Sequence, residues 1–138
     1  MALGTNVSID FRAADGSLSV FKTDPTSNAR TDVTDYVSGT ITIAATGTHT
    51  VTLANTDMTV LRIVYVETNG LVNIGLLDDT AAANELTTVQ VAGKDGNSAG
   101  KFFMETKGFT IAASDTFTLN NPDTTNAIRC TFFLGGDA

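Results

Sequence analysis

Short segments in which apolar and polar residues alternate recur along most of the chain. Val7, Ile9 and Phe11 alternate with polar residues in VSIDF, and the same pattern returns in SLSVF, GTITIA and THTVTLA. A period of two places apolar side chains on one face of a β-strand. Further strand-like segments are LTTVQVA, KFFMET, GFTIAA, DTFTLN and NAIRCTFFL. No helical period of useful length appears, so the chain is predicted to be an all-β sandwich or barrel with minimal helix.

The segment MTVLRIVYVET differs because both of its faces are apolar. Simple alternation assigns Val60, Val64 and Val66 to one face and Leu61, Ile63 and Tyr65 to the other. A strand that is apolar on both faces is typical of a central position that is covered on both sides. The exception, Arg62, is expected to extend its charged end towards water at one end of the strand.

Turn signals separate these segments. Asn69-Gly70 lies between two strand-like segments and predicts a β-hairpin over Thr59–Leu77, with positive φ at both turn residues. Ala44–Gly47 is interpreted as a second short hairpin connection, and Gly93–Gly100 as a flexible connection. Asp78–Glu85 fits either one helical turn or a polar loop.

The longest stretch without alternation is Lys22–Asp35. A loop of this length in a compact domain is usually functional or held in place by a partner. We therefore treat this segment as a candidate contact region.

Composition limits the possible functions. The chain has 138 residues, of which 42% are hydrophobic and 17% charged, which predicts one globular domain over 1–138 and leaves open an N-terminal arm over 1–6. Its net charge of -7, with only eight basic residues, argues against a nucleic-acid partner. The first ten residues have no secretory pattern, and no apolar stretch is long enough to cross a bilayer, so we expect synthesis in a cytosol and no membrane partner.

Candidate catalytic and metal-binding residues are few. The single Cys and single His exclude an internal disulfide, a multi-Cys zinc site and any metal site with two imidazoles. Gly96–Lys101 is a shortened phosphate-loop pattern that leads into a strand-like segment, so a plain hairpin loop is favoured there. His49 is expected at the surface or in an interface, and Cys130 in the core. Asp78 and Asp79 leave a calcium site open, but no catalytic, cofactor or metal residue is assigned and no cofactor is expected.

Two pairs of phenylalanines bear on function. Adjacent residues in a strand face opposite sides. One ring of Phe102-Phe103 and one of Phe132-Phe133 should therefore enter the core, while the other faces outwards. An uncovered Phe on a small domain indicates a partner surface, unless loops cover it.

The chain resembles the jelly-roll capsid decoration, or cement, proteins of tailed bacteriophages. The resemblance lies in its size, its acidic Thr-, Ala- and Gly-rich composition, the MALGTNVSIDF opening and the DTFTLNNPDTTNAIRCTFFLGG ending. It implies a single-domain antiparallel β-sandwich of jelly-roll type with about 8–10 strands. It also implies a non-enzymatic virion protein on the capsid exterior, made in the host cytoplasm, that binds the major capsid protein, stabilises capsomer contacts and forms a dimer or trimer.

Irregular and terminal segments are where binding residues concentrate. We therefore expect contacts from the N-terminal arm, the Lys22–Tyr36 region and the strand ends near Phe133. The residues proposed for the interface are Leu3, Val7, Phe21, Tyr36 and Phe133. The alternative function is a carbohydrate- or receptor-binding β-sandwich module of a phage tail or fibre.

Overall fold

The structure, a computed structural model, describes residues 3–5, 10–12, 19–22, 31–77, 86–93 and 98–138. Nearly all of its elements are strands. The first four are β1 Leu3–Thr5, β2 Asp10–Arg12, β3 Ser19–Lys22 and β4 Thr31–Val33. The other eight are β5 Asp35–Ile43, β6 Thr48–Thr52, β7 Val60–Thr68, β8 Val72–Leu77, β9 Leu86–Val91, β10 Gly100–Thr110, β11 Thr116–Asn120 and β12 Ile128–Asp137. A 3-10 turn covers Leu53–Asn55.

The eight strands from β5 to β12 form two antiparallel sheets that pack face to face. Sheet I has the order β10-β7-β12-β5, and sheet II has the order β6-β11-β8-β9. The pairing is nested: β8 pairs with β9, β7 with β10, β6 with β11 and β5 with β12. This is one long hairpin wrapped into two layers, which is the jelly-roll arrangement. The predicted fold class is confirmed.

The core fills the space between the two sheets. Phe117 of sheet II lies with its ring centroid 6.2 Å from that of Phe132 in sheet I. Around this pair, buried side chains of both sheets form one cluster, which includes Ile43, Leu61, Val64, Val66, Val72, Ile74, Leu119, Cys130 and Leu134. Burial of each large apolar side chain contributes about 1.5–3 kcal/mol, so this cluster accounts for the association of the sheets.

The predicted hairpins are wrong, because the strands on either side of each turn belong to different sheets. Ala44–Gly47 joins β5 of sheet I to β6 of sheet II, and Asn69-Gly70 joins β7 of sheet I to β8 of sheet II. The same is true of the connection from β9 to β10, of which 94–97 lie outside the described residues. Each turn is therefore an arch that closes one end of the sandwich.

Tertiary hydrogen bonds explain why Asn69-Gly70 forms an arch. The backbone N–H of Asn69 donates to the Arg129 carbonyl at 3.1 Å, and its Oδ1 accepts from the Arg129 N–H at 2.8 Å. Asn69 thus stays bonded to β12. Positive φ, which the predicted turn requires, occurs within the described residues only at Thr46 and Gly108.

Strand β7 is central in sheet I, as predicted. Its outer face is not covered throughout, since Ile63 is buried there but Tyr65 is half-buried and Glu67 exposed, and its facing pattern changes at Arg62. Gly135 pairs with Ile63 and Gly136 with Leu61, so Arg62 is an extra residue that forms a bulge. The bulge lets Leu61 join Val64 and Val66 in the core, whereas alternation assigned it to the other face. The Arg62 Nε donates to Asp137 Oδ2 at 2.6 Å, which ties the bulge to the end of β12.

Two other predictions change in detail. Lys22–Asp35 is not one loop, since Thr31–Val33 forms β4, which pairs with β1, and β5 begins at Asp35. The segment KFFMET and the first three residues of GFTIAA belong to a single strand, β10, with an irregular register between Glu105 and Phe109. Asp78–Glu85, with its candidate calcium ligands, lies outside the described residues.

Candidate interaction surface

The outer face of sheet I carries a row of aromatic side chains. Phe103 of β10 is paired with Tyr65 of β7, and Tyr65 is paired with Phe133 of β12. Directly paired residues in a sheet point to the same side. Tyr36 of β5 stacks on Phe133 with ring centroids 5.6 Å apart and planes inclined by 16°. We call these four residues, Tyr36, Tyr65, Phe103 and Phe133, the aromatic row.

Two members of the aromatic row are open to solvent. Tyr36 is 48% exposed and Phe103 is 36% exposed, and they are the only large apolar or aromatic side chains so exposed in the described part of the chain. Their neighbours Phe102 and Phe132 face the other way and pack in the core. The prediction that each Phe pair splits between core and surface is confirmed.

Gly135 allows the Phe133 ring to lie flat on the sheet. A Cβ on Gly135 would lie 2.8 Å from Phe133 Cε1 and 3.3 Å from Val33 Cγ1. Val33 is completely buried, and Ile63, paired with Gly135 on the same face, is 1% exposed. Val33 of short strand β4 therefore packs beside the aromatic row, next to Gly135, whereas the two ends of the row, Tyr36 and Phe103, are exposed.

Polar groups border the row on the side away from β4. The Tyr65 hydroxyl donates to Glu67 Oε2 at 2.8 Å, and Lys101 Nζ lies 4.0 Å from Glu67 Oε1. The hydrogen bond to Glu67, burial and the nearby carboxylate charge together raise the pKa of Tyr65 above its ordinary value. Tyr65 thus remains a neutral donor at physiological pH and holds Glu67 beside the aromatic rings.

The outer face of sheet II has a different character. Asn120 Nδ2 donates to Thr48 Oγ1 at 2.9 Å, and Asn73 Nδ2 donates to Asn120 Oδ1 at 3.3 Å. Threonines at 50 and 118 continue this face. Their short polar side chains bond mainly to one another and to the backbone, so this face supplies a natural control for the aromatic row.

A cleft of about 580 Å³ opens at the end of the sandwich where the arches meet. Asn69, Leu71, Pro122 and Asp123 are among its lining residues. The Asp123 carboxylate accepts the backbone N–H groups of Asn126 and Thr125, which lower its pKa. These hydrogen bonds hold the β11–β12 loop in its conformation, so the role of the Asp123 carboxylate is to stabilise that loop.

The structure brings together two of the five residues predicted for the interface. Tyr36 and Phe133 stack on each other within the aromatic row. Leu3 pairs with Val33, which places its backbone in the small sheet beside the aromatic row, and Phe21 lies in β3 paired with Phe11. Val7 lies outside the described residues.

Sequence reasoning missed Tyr65 and Phe103 as members of this surface. From sequence, the segment around Tyr65 is predicted to be covered on both faces, and either Phe102 or Phe103 could be the outward ring. Tyr65 and Phe103 lie side by side because of the register between β10, β7 and β12. That register joins residues far apart in sequence and leaves no local signal.

The single histidine lies differently from its prediction. His49 pairs with Leu119, whose side chain is fully buried, so His49 points towards the core and its ring lies 5.8 Å from that of Phe132. Its position in edge strand β6 leaves it half-buried. The register of β6 against β11 determines this inward orientation, which overrides the nearby turn signal.

Cys130 is a core residue, as predicted, and is completely buried. Burial raises the pKa of its thiol, and a weak contact with Thr68 Oγ1 at 3.5 Å acts in the opposite direction. In the described ranges, no three His, Cys, Asp or Glu side chains gather into a group that could hold a metal ion.

No protein-family model matches the chain, and no curated protein was found to be similar to it. Within the ranges that the structure describes, no helix is long and apolar enough to cross a membrane. The functional argument therefore depends on the surface itself.

Proposed function

We propose that this protein is a non-enzymatic structural protein of a virion, a capsid decoration or cement protein that binds the outer shell and stabilises the contacts between capsomers. The observation that carries the proposal is the aromatic row on the outer face of sheet I. Its partner is the major capsid protein, its location is the capsid exterior, and it acts as a homo-oligomer after synthesis in the host cytoplasm.

The aromatic row has the properties of a protein-binding surface. Aromatic side chains bury large areas and lose little conformational entropy on binding, so they are enriched among residues that dominate interface energies. Tyr36 and Phe103 are exposed, while Phe133 and Tyr65 support them from within the row. The strands beneath them belong to a continuous sheet, which holds the rings in place before binding.

Repetition would make a modest contact effective. A shell presents many copies of the same site, so a contact that is weak for one copy stabilises the whole shell when it is repeated. The net charge of -7 would also limit adhesion to nucleic acid released or packaged nearby.

The test is co-sedimentation of the purified protein with expanded and with compact capsid shells. We expect binding to expanded shells and weaker binding to compact ones. Combining Tyr36→Ala with Phe103→Ala should weaken binding by about tenfold or more, because both rings would be lost from the contact. The matched control combines Thr50→Ala with Gln90→Ala on the outer face of sheet II and should bind like the wild type. Equal binding by the aromatic variant would contradict the proposal.

A second candidate is a carbohydrate- or receptor-binding module of a phage tail or fibre. The exposed rings of Tyr36 and Phe103 favour it, because sugar rings stack on aromatic faces. A glycan array separates the two candidates. Glycan binding that is lost in the aromatic variant, without binding to shells, would favour this second function.

A further inference from the structure

We infer that strand β5 is a dimerisation edge, at which β5 of a second copy of this chain adds to sheet I in antiparallel orientation. The inference begins from the edges of the two sheets. Strands β5 and β10 are the edges of sheet I, and β6 and β9 are the edges of sheet II. An edge strand exposes unpaired backbone N–H and C=O groups, which can pair with another strand.

Three of these edges carry features that oppose such pairing. Strand β10 contains Lys101, Glu105 and Lys107, and its register is interrupted before Phe109, where Gly108 has a φ of +126°. Charges and bulges are the usual protection of an edge. Strands β6 and β9 are short, with five and six residues.

Strand β5 has none of these features. It runs for nine residues, Asp35–Ile43, pairs with β12 without a register shift, and contains no Pro or Lys. Asp35 is its only charged residue and stands at its first position. Among the described strands, β12 is its only neighbour. The longest regular edge of the sandwich is therefore also its least protected one.

The sequence of β5 is complementary to itself in antiparallel orientation. The register that pairs all nine residues has its two-fold axis at Gly39, and it places Ser38 of one copy opposite Thr40 of the other. Val37 then lies opposite Ile41 on the inner side, where both are only partly buried in the single chain. Pairing would cover these two side chains and form roughly eight to ten backbone hydrogen bonds.

The charges also suit this arrangement. The two Asp35 carboxylates would stand at opposite ends of the paired strands, roughly 27 Å apart at about 3.4 Å per residue. That separation exceeds the screening length of about 8 Å at physiological ionic strength. Between them the other residues of β5 carry no charge, so no like charges stand opposite each other across the contact.

Pairing at β5 has a consequence for the aromatic row. Opposite residues of an antiparallel pair point to the same side, so the two rows would share one face of a continuous sheet. Tyr36 would lie near the junction on both sides. The dimer would present a bivalent surface, whose avidity exceeds that of one copy. The contact is isologous and closes at two copies.

The test is the solution mass of the protein without shells, so its result is independent of shell binding. Sedimentation velocity over a concentration series should give twice the chain mass for the wild type. Combining Ser38→Lys with Thr40→Lys places like charges opposite each other and should weaken dimerisation at least tenfold. The same should hold for Ser38→Asp with Thr40→Asp, and an equimolar mixture of the two variants should restore a dimer.

Two controls accompany these variants. Thr48→Lys with Thr50→Lys makes the same change on edge strand β6 and should leave the wild-type mass unchanged. For the wild type alone, amide hydrogen exchange in β5 should slow as protein concentration rises, while exchange in β10 should not. A monomer or trimer at every concentration, a charged variant that still dimerises, a mixture that stays monomeric, or an exchange rate in β5 that is independent of concentration would overturn the inference.

Discussion

Asn121 shows how a single polar residue determines the geometry of one end of the sandwich. It is completely buried, and its Nδ2 donates to the carbonyls of Ile43, Ala44 and Asn126 at 3.1, 3.1 and 2.8 Å. Its Oδ1 accepts from the Asp123 N–H at 3.0 Å. One amide thus joins the end of β5, the first arch and the β11–β12 loop.

Replacing Asn121 by Ala should destabilise the fold by about 2–4 kcal/mol, because buried carbonyls would lose their donor. Chemical denaturation measures this change in the free energy of unfolding. Asn126→Ala is the control: its exposed side chain bonds only locally to Asp123 Oδ2, and we expect a cost below about 1 kcal/mol. Equal effects of the two substitutions would argue against the role given to Asn121.

The hydrogen bond between Tyr65 and Glu67 makes the stability of the folded protein sensitive to alkaline pH. The pKa of Tyr65 is higher in the folded protein than the ordinary value of 10.0, chiefly because its hydroxyl donates to Glu67. The stability that the Tyr65–Glu67 hydrogen bond contributes is therefore fully present below the pKa of Tyr65 in the unfolded chain. It is lost as the pH rises through the higher pKa of Tyr65 in the folded protein. Ionisation would place two negative charges side by side.

Unfolding free energies between about pH 9 and pH 11.5 test this effect. The wild type should lose more stability over that range than Tyr65→Phe, which has no proton to lose. The difference should diminish in high salt, since the pair is partly exposed. Parallel pH profiles for the two proteins would contradict the argument.

At the scale of the element, the end of β12 shows why two adjacent glycines are needed. At Gly135 an added Cβ meets the Phe133 ring, which can tilt, whereas at Gly136 it meets the backbone carbonyl oxygen of Val60. Gly136→Ala should therefore destabilise the protein by about 3 kcal/mol or more, since the backbone of β7 must move. Gly135→Ala should cost about 1 kcal/mol.

Thermal unfolding of the two glycine variants measures the difference. Gly135→Ala should also displace Phe133 and alter its stacking on Tyr36, which near-ultraviolet circular dichroism detects. If Gly135→Ala were the more damaging change, the assignment of these two close approaches would be wrong.

The strands show which features the alternation of apolar and polar residues predicts and which it does not. THTVT, TFTLN and the segment around Phe132 were predicted as strands, because the signal for a half-buried strand is contained in its own residues. Val33 escaped prediction because β4 has only three residues, too few for a period to appear. Leu61 was assigned to the wrong face because the bulge at Arg62 depends on its pairing with Gly135 and Gly136.

The arches and the aromatic row are features that local sequence patterns do not predict. A turn motif such as Asn69-Gly70 specifies a reversal of direction, but the sheet that the next strand joins is decided by bonds such as that from Asn69 to Arg129. In the same way, Phe132 and Phe133 could be divided between core and surface from their order in a strand. That Phe133, Tyr65 and Phe103 form one row required the register of three strands.

At the scale of the whole molecule, the two outer faces differ although the two sheets share one core. Sheet I exposes Tyr36 and Phe103, whereas sheet II exposes threonines and asparagines that bond to one another. This asymmetry gives the sandwich one face suited to a partner and one suited to water. The β5 edge would join two such faces into one.

Calorimetric melting of capsid shells tests most directly the proposal that the protein binds and stabilises shells through the aromatic row. Expanded shells saturated with the wild-type protein should melt at a higher temperature than bare shells. Shells mixed with the Tyr36→Ala, Phe103→Ala variant should melt like bare shells, and those with the Thr50→Ala, Gln90→Ala control like the wild-type complex. Identical melting of shells with and without the wild-type protein would contradict the claim.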